Sequence, residues 1–304
     1  MMGLQLSGYI DLPAHTHPGG FDHAAIYYAA ARLYVAHTAN DALDVIDCAA
    51  DRYLHSIPNL AGVAGVLASE EQHLIFTANR NEDTVAIFAP DAENKLEKIP
   101  VGNKPNGLAF DATRNLLLVA NTGNPATLSI VHRTQHAETV NIVAPGRPRW
   151  TLFDRNGDSF YVNIAEPAQI VVIDGSEPTH ISRALMIPAA GPHGLDLDTK
   201  RFCLFCACDA RKLIVIEPRN GHIDSIVDLN GAPDVIFYNA TLEHLYVASG
   251  EPGLIQVFET PTMRQIESVP TEQGAHTIAF DVVRNKVYAF LPATHRAAVY
   301  IDTP

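Results

Sequence analysis

Lys104-Pro-Asn-Gly-Leu-Ala-Phe-Asp111 returns along the chain as Arg147-Pro-Arg-Trp-Thr-Leu-Phe-Asp154, Gly191-Pro-His-Gly-Leu-Asp-Leu-Asp198 and Gly274-Ala-His-Thr-Ile-Ala-Phe-Asp281. Weaker copies begin near Phe21, Val63 and Pro233. The residue opening the first strand of each copy is Asp22, Ala64, Asn106, Arg149, His193, Asp234 and His276, at spacings of 42, 42, 43, 44, 41 and 42 residues. A period of roughly 40–50 residues with several short strands per unit is the signature of a β-propeller, one unit per blade. The 304 residues are therefore expected to form one all-β domain, a seven-bladed propeller.

Within each unit the strands are legible. Gly107–Asp111 is followed by a polar turn and then by Leu117–Asn121, with counterparts at Leu33–His37, Ile75–Asn79, Phe160–Asn163 and Leu245–Ser249. Third strands are predicted at Ala42–Asp47, Thr84–Phe88, Leu128–Val131, Gln169–Asp174, Leu213–Glu217, Leu254–Phe258 and Ala297–Asp302. These runs are β-branched and aromatic and are bounded by Gly, Asn, Asp and Pro. No stretch sustains a 3.6-residue apolar period, so little helix is expected. Six units carry a polar fourth strand, among them Tyr53–Ile57 and Ala137–Val143, and the seventh does not. Leu4–Leu12, ahead of the first blade, has strand character and no local partner, so it is expected to close the ring as the outer strand of blade 7.

Composition excludes several functions. A net charge of −13 argues against a nucleic-acid backbone as partner, which needs a basic stripe. No apolar run is long enough to span a membrane. Met1–Leu12 lacks the basic start and apolar run of a secretory signal, so the chain as given reads as cytoplasmic unless a signal peptide has been removed. Cys203-Leu-Phe-Cys-Ala-Cys208 looks like a metal motif, but strand alternation puts only Cys206 and Cys208 on one face. Buried reduced thiols are expected for these and for Cys48. Asp154-Arg-Asn-Gly-Asp158 resembles a calcium loop, yet Ala165 stands where the bidentate Glu belongs, and a hairpin turn is expected instead. Nucleophile elbows, Walker loops and His-Glu-x-x-His helices are absent. His55, His132, His136, His180 and His222 are expected on outer strands or turns.

Leu118-Val-Ala-Asn121, Phe76-Thr-Ala-Asn79, Tyr34-Val-Ala-His37 and Tyr246-Val-Ala-Ser249 resemble the Tyr-Val-Thr-Asn motif of the YVTN family of β-propellers. The Lys-Pro-Asn-Gly-Leu-Ala-Phe-Asp signature is similar to that family's repeat, from about Phe21 to Asp302. The resemblance implies a seven-bladed propeller; its functional implication is broad, covering surface-layer and lactonase-like proteins.

Function is expected where the first strands begin, at one mouth of the central channel. The ring of opening residues places carboxylate and imidazole groups in four neighbouring blades: His193, Asp234, His276, and Asp22 or His23. Imidazole with carboxylate suits a divalent transition metal such as zinc, iron, manganese or copper. His17, on the loop crossing the same mouth, completes the candidate metal set of His23, His193, His276, Asp22, Asp234 and His17. Gly19-Gly20 would let His23 turn inward. The opposite arc offers Arg149 and Asn106 to a substrate, with Asn121 and His37 at second-strand ends beside them; Arg149 could clamp a carboxylate or phosphate. His193, His276 and Asp234 are the candidate catalytic groups.

Two classes follow. One is a metal-dependent enzyme acting at the mouth on a small anionic substrate, of the hydrolase or lactonase kind. Gluconolactonase-type propellers hold their metal with Glu, Asn and Asp, a set this His-rich ring departs from. The other is a non-catalytic propeller that binds a small ligand or partner protein, with a metal-free polar channel.

Overall fold

The computed structural model describes residues 3–133 and 138–303. Their strands form seven four-stranded antiparallel sheets, and short 3-10 turns at Tyr28–Ala30 and Thr38–Asn40 supply the helical residues among them. The third blade shows the pattern: Pro105–Asp111, Leu116–Asn121, Thr127–His132 and Glu138–Val143 pair in sequence order. Ala137, the expected start of that fourth strand, and His136 lie outside the described residues.

The aspartate ending each strong repeat has a local cause. Asp111 Oδ1 accepts the N–H groups of Thr113 (2.9 Å) and Arg114 (3.3 Å), closing the turn into the second strand. Asp198 and Asp281 do the same in their blades, and Asn239 stands in for them in blade 6. The calcium-like run is one of these turns, with Asn156 N donating to Asp154 Oδ1 at 2.9 Å. A side chain that satisfies turn N–H groups fixes hairpin geometry, which is why this residue recurs where the apolar pattern alone would not require it.

The ring closes through the N-terminus. Gly3–Asp11 pairs antiparallel with Arg296–Thr303, from Gly3 opposite Thr303 to Asp11 opposite Arg296, in the sheet that also holds Lys286–Leu291 and Ile278–Asp281. Leu4 and Ile10 face inward and are buried, whereas Leu6 and Tyr9 face out. Apolar cores lie between blades. Among the described residues seven clusters are found, one per interface; Tyr34, Val45 and Ile57 of blade 1, for example, pack on Val66, Ile75 and Phe88 of blade 2. Side chains alternate across each strand, so both faces of a central strand are apolar when a sheet is covered on both sides. Cys203, Cys206 and Cys208 fill such positions, and all four cysteines are free and buried.

Close packing around the axis sets the site. A Cβ on Gly107 would lie 2.4 Å from the carbonyl oxygen of Arg149, so glycine there lets the inner strand of blade 4 approach blade 3.

Candidate functional site

Each inner strand starts at the same mouth with one side chain turned to its rim, so the ring of opening residues assembles there by register alone. Asp22, His23, Asn106, Arg149, His193, Asp234 and His276 gather at this end through direct contacts or through their mutual charge interactions. On one side Arg80 joins two members, pairing with Asp22 at 3.0 Å and donating to Asn106 Oδ1 at 2.6 Å. Opposite, His193 is held between two carboxylates, its Nδ1 donating to Asp209 Oδ1 (2.8 Å) and its Nε2 to Asp234 Oδ1 (3.0 Å). Asp234 Oδ2 lies 3.8 Å from His276 Nε2, and His276 Nδ1 bonds the carbonyl of Gly274 at 2.8 Å.

Electrostatics fix the protonation states. Burial disfavours charge on His193, but Asp234 and Asp209 outweigh it and lift its pKa to about 9, so it is a cation at neutral pH. Burial would raise Asp234; His193, His276 and His23 together hold it well below the usual carboxylate range. His23 goes the other way: burial lowers it beyond what Asp22 and Asp234 restore, leaving a neutral ring.

Arg149 is the unusual member. Its Nη1 lies 3.0 Å from His193 Nε2. Since that nitrogen donates to Asp234, it cannot also accept from Arg149, and the contact sets two cations side by side. Asp209 offsets part of this, accepting from Arg149 Nη2 at 3.3 Å, while Arg149 Nε is buried with no hydrogen-bond partner. Beside them Arg147 makes no hydrogen bond or ion pair through its side chain among the described residues, and its charge is disfavoured first by partial desolvation, then by Arg149 and Arg80. Four cations (Arg80, Arg147, Arg149, His193) thus face three carboxylates (Asp22, Asp209, Asp234) in a protein whose net charge is −13.

Two expected members, His37 and Asn121, are placed elsewhere. His37 and Asn121 are fully buried inside their blades: His37 Nδ1 bonds Asp44 at 2.7 Å, and Asn121 donates to Thr127 (3.1 Å) and Ser129 (2.8 Å). Neither is open to a ligand. His17 is exposed, and its backbone N–H donates to Ala39 at 3.1 Å. Asp22 and His23, offered as alternatives, both lie at this end: Asp22 pairs with Arg80 on the rim, and the His23 ring turns into the channel to meet Trp150 at 4.4 Å between centroids.

Arg80, Arg147 and Asp209 were not anticipated. Arg80 and Asp209 each follow the last residue of a second strand, and period-two alternation turns that next side chain to the rim when its neighbour is buried. That alternation was the available signal. As the donors stand, no group of three or more His, Cys, Asp or Glu side chains among the described residues is gathered to hold one metal ion. Among them no helix is long and apolar enough to cross a membrane.

Fold and site together define a seven-bladed β-propeller with a charged channel mouth. The chain is similar in fold to a solved structure titled Kuenenia stuttgartiensis hydrazine synthase, at 14% identity and a TM-score of 0.81, covering 96% of this chain and 97% of that one. It is similar also to a chain of the mitotic checkpoint complex, at 9% identity and a TM-score of 0.84, covering 100% of this chain and 94% of that one. At such identities the likeness is one of fold. No family model matches the sequence, and no curated protein matches it.

Proposed function

We propose that this propeller binds a small carboxylate- or phosphate-bearing molecule at its channel mouth. The observation that carries this reading is the Arg149–His193 contact, two cations side by side with the exposed, unpaired guanidinium of Arg147 near them, where one added anion would bind Arg147 and Arg149 and relieve the crowded charge. Arg149 would orient the anion, and His193, whose two N–H groups already donate to Asp209 and Asp234, would contribute its positive charge. Calorimetry with inorganic phosphate and with propionate tests this. Native protein should bind at least one of them, and the Arg147→Ala/Arg149→Ala double variant neither; equal binding by both proteins would refute the site.

A second reading keeps the divalent transition metal, and with it a hydrolase or lactonase of the kind the YVTN resemblance suggests. One observation favours it: Asp234 is flanked by the imidazoles of His193, His276 and His23. His193 must lose its proton to become a ligand, so uptake of zinc(II) at this site should strengthen as pH rises toward 9. A His193→Ala/His276→Ala protein that keeps full zinc occupancy would remove this reading and leave the anion site standing.

A further inference from the structure

Beneath the charged rim the channel changes character. A cavity of about 330 Å³ begins at His23, Gly107 and Trp150, the residues just after the rim positions, and continues down the inner strands. Six of its lining side chains are aromatic, Trp150, Phe110, Phe153, Phe237, Phe280 and Tyr28, with Ile26, Leu67, Leu108 and Leu152 filling in between. Between them Ala25, Ala109 and Ala279 leave room at mid-depth. The three residues from Trp150 to Phe153 correspond to roughly 10 Å of strand, so the cavity is about one substituted ring deep. Its volume lies at the lower end of the range for small-molecule sites, which are mostly apolar with a few polar groups that orient the ligand.

The charged groups here are all at one end; deeper in, the hydroxyl-bearing lining residues are Thr151, whose Oγ1 is buried without a partner, and Tyr28, whose hydroxyl donates to the Phe280 carbonyl at 3.4 Å. His23 belongs to both regions, being close enough to Asp22, Asp234 and His193 to feel their charge while its ring packs on Trp150 at 45°. Trp150 meets Phe237 edge-on at 6.3 Å, so an aromatic wall starts directly under Arg149. Aromatic edges and faces favour another ring in an offset or edge-on arrangement over an aliphatic chain of equal area. A simple anion such as phosphate would use the rim and leave the shaft unused.

Resting on the anion reading above, we propose that the ligand is an aryl-bearing anion, its carboxylate or phosphate on Arg149 and Arg147 and its ring lowered past His23 into the aromatic shaft. Entry parts the His23–Trp150 contact, and a spacer of one to three atoms between acid and ring matches the step from rim to shaft.

Trp150 is the chain's single tryptophan, so its fluorescence reports shaft occupancy alone. The test titrates native protein with 3-(4-nitrophenyl)propionate, whose nitroaryl ring quenches tryptophan, with propionate as the acid lacking a ring and 4-nitrotoluene as the ring lacking an acid. The aryl acid is expected to quench saturably and to bind at least tenfold more tightly than propionate. Ala25→Phe and Leu67→Phe, two independent fillings of the shaft checked for native circular dichroism, should each weaken the aryl acid tenfold or more and leave propionate unchanged. Propionate binding as tightly as the aryl acid, or fillings without effect, would overturn the aryl inference while leaving the anion site intact. Nitrotoluene binding as tightly as the aryl acid, with no loss in Arg149→Ala, would overturn the joined ligand. No binding by either acid would overturn the aryl inference, and the anion reading falls with it if inorganic phosphate does not bind either.

Discussion

His193 at the channel mouth and His15 at the seam between blades 7 and 1 are both packed among protein groups, yet they titrate in opposite directions. His193 lies between two carboxylates and is raised to about 9. His15 sits against other aromatic rings, 4.9 Å from His37, 4.4 Å from His295 and 5.2 Å from Phe21. Burial, then His37 and His295, lower it, and the weaker pull of Asp44 and Glu272 does not restore it. His15 Nε2, His37 Nε2 and His295 Nδ1 are all buried without a hydrogen-bond partner. The same side chain is thus a fixed cation in one place and a neutral packing group in the other, and the charge of its neighbours decides which. A mouth lined by charged groups can receive a charged ligand; the seam packs ring against ring and helps to hold the blades together.

The largest effect should come from unlatching the seam. Deleting residues 1–12 removes the closing strand together with buried Leu4 and Ile10, side chains worth about 3–6 kcal/mol in burial before any ladder bonds are counted. At about 2–4 °C per kcal/mol, the thermal midpoint should drop by roughly 10 °C or more, or the protein should become insoluble. An unchanged melting curve would mean the strand is not a latch.

Acid sharpens the contrast next. His15 has a folded pKa below its unfolded one, so the stability linked to its neutral form is complete above about 6.5 and is lost as pH falls below that value and through the lower folded pKa. Native protein should melt lower at pH 5 than at pH 7, and His15→Phe, which keeps a ring without a proton site, should reduce that fall in thermal midpoint. Parallel curves for the two proteins would show that the seam is not acid-sensitive through His15.

The mouth should respond at the alkaline end. With its folded pKa raised, His193 contributes fully below about 6.5 and loses its contribution as pH rises through about 9. His193→Gln should remove a decline of about 2–4 °C across that interval. A nuclear magnetic resonance titration placing the His193 midpoint near 6.5 would break the comparison directly.

Arg147→Ala should have the smallest effect on stability, within about 0.5 kcal/mol, because the guanidinium has no ion pair to lose. Its expected signature is functional: weaker binding of phosphate or propionate by calorimetry with an unshifted melting curve. Earlier melting with unaltered anion binding would identify Arg147 as a structural group.

Much of the site was legible because the repeat carries register. Counting from Asp111 back to Asn106, and equally in other units, puts Asp22, Arg149, His193, Asp234 and His276 at equivalent places, and they do meet at one rim. The same counting failed at the second strands by one residue. Asn121 and His37 are the last ladder partners of Pro105 and Phe21 and point into the blades, whereas Arg80 and Asp209 come one position later in their own blades and point to the rim. A shift of one residue in a strand exchanges its faces, and polarity alone does not tell which face an asparagine or histidine serves.

By itself the sequence determined the seven blades, their strand order and the closure by the N-terminal strand, because a near-constant spacing and a two-residue alternation are properties of the chain read in one dimension. Tertiary structure alone decided what each rim group is. Whether His193 carries a proton, whether Arg147 finds a carboxylate, and whether His23 and Trp150 touch across the channel all depend on groups more than 15 residues away in sequence. Electrostatic interaction falls with distance in space and with exposure to water, and neither quantity is written in the repeat.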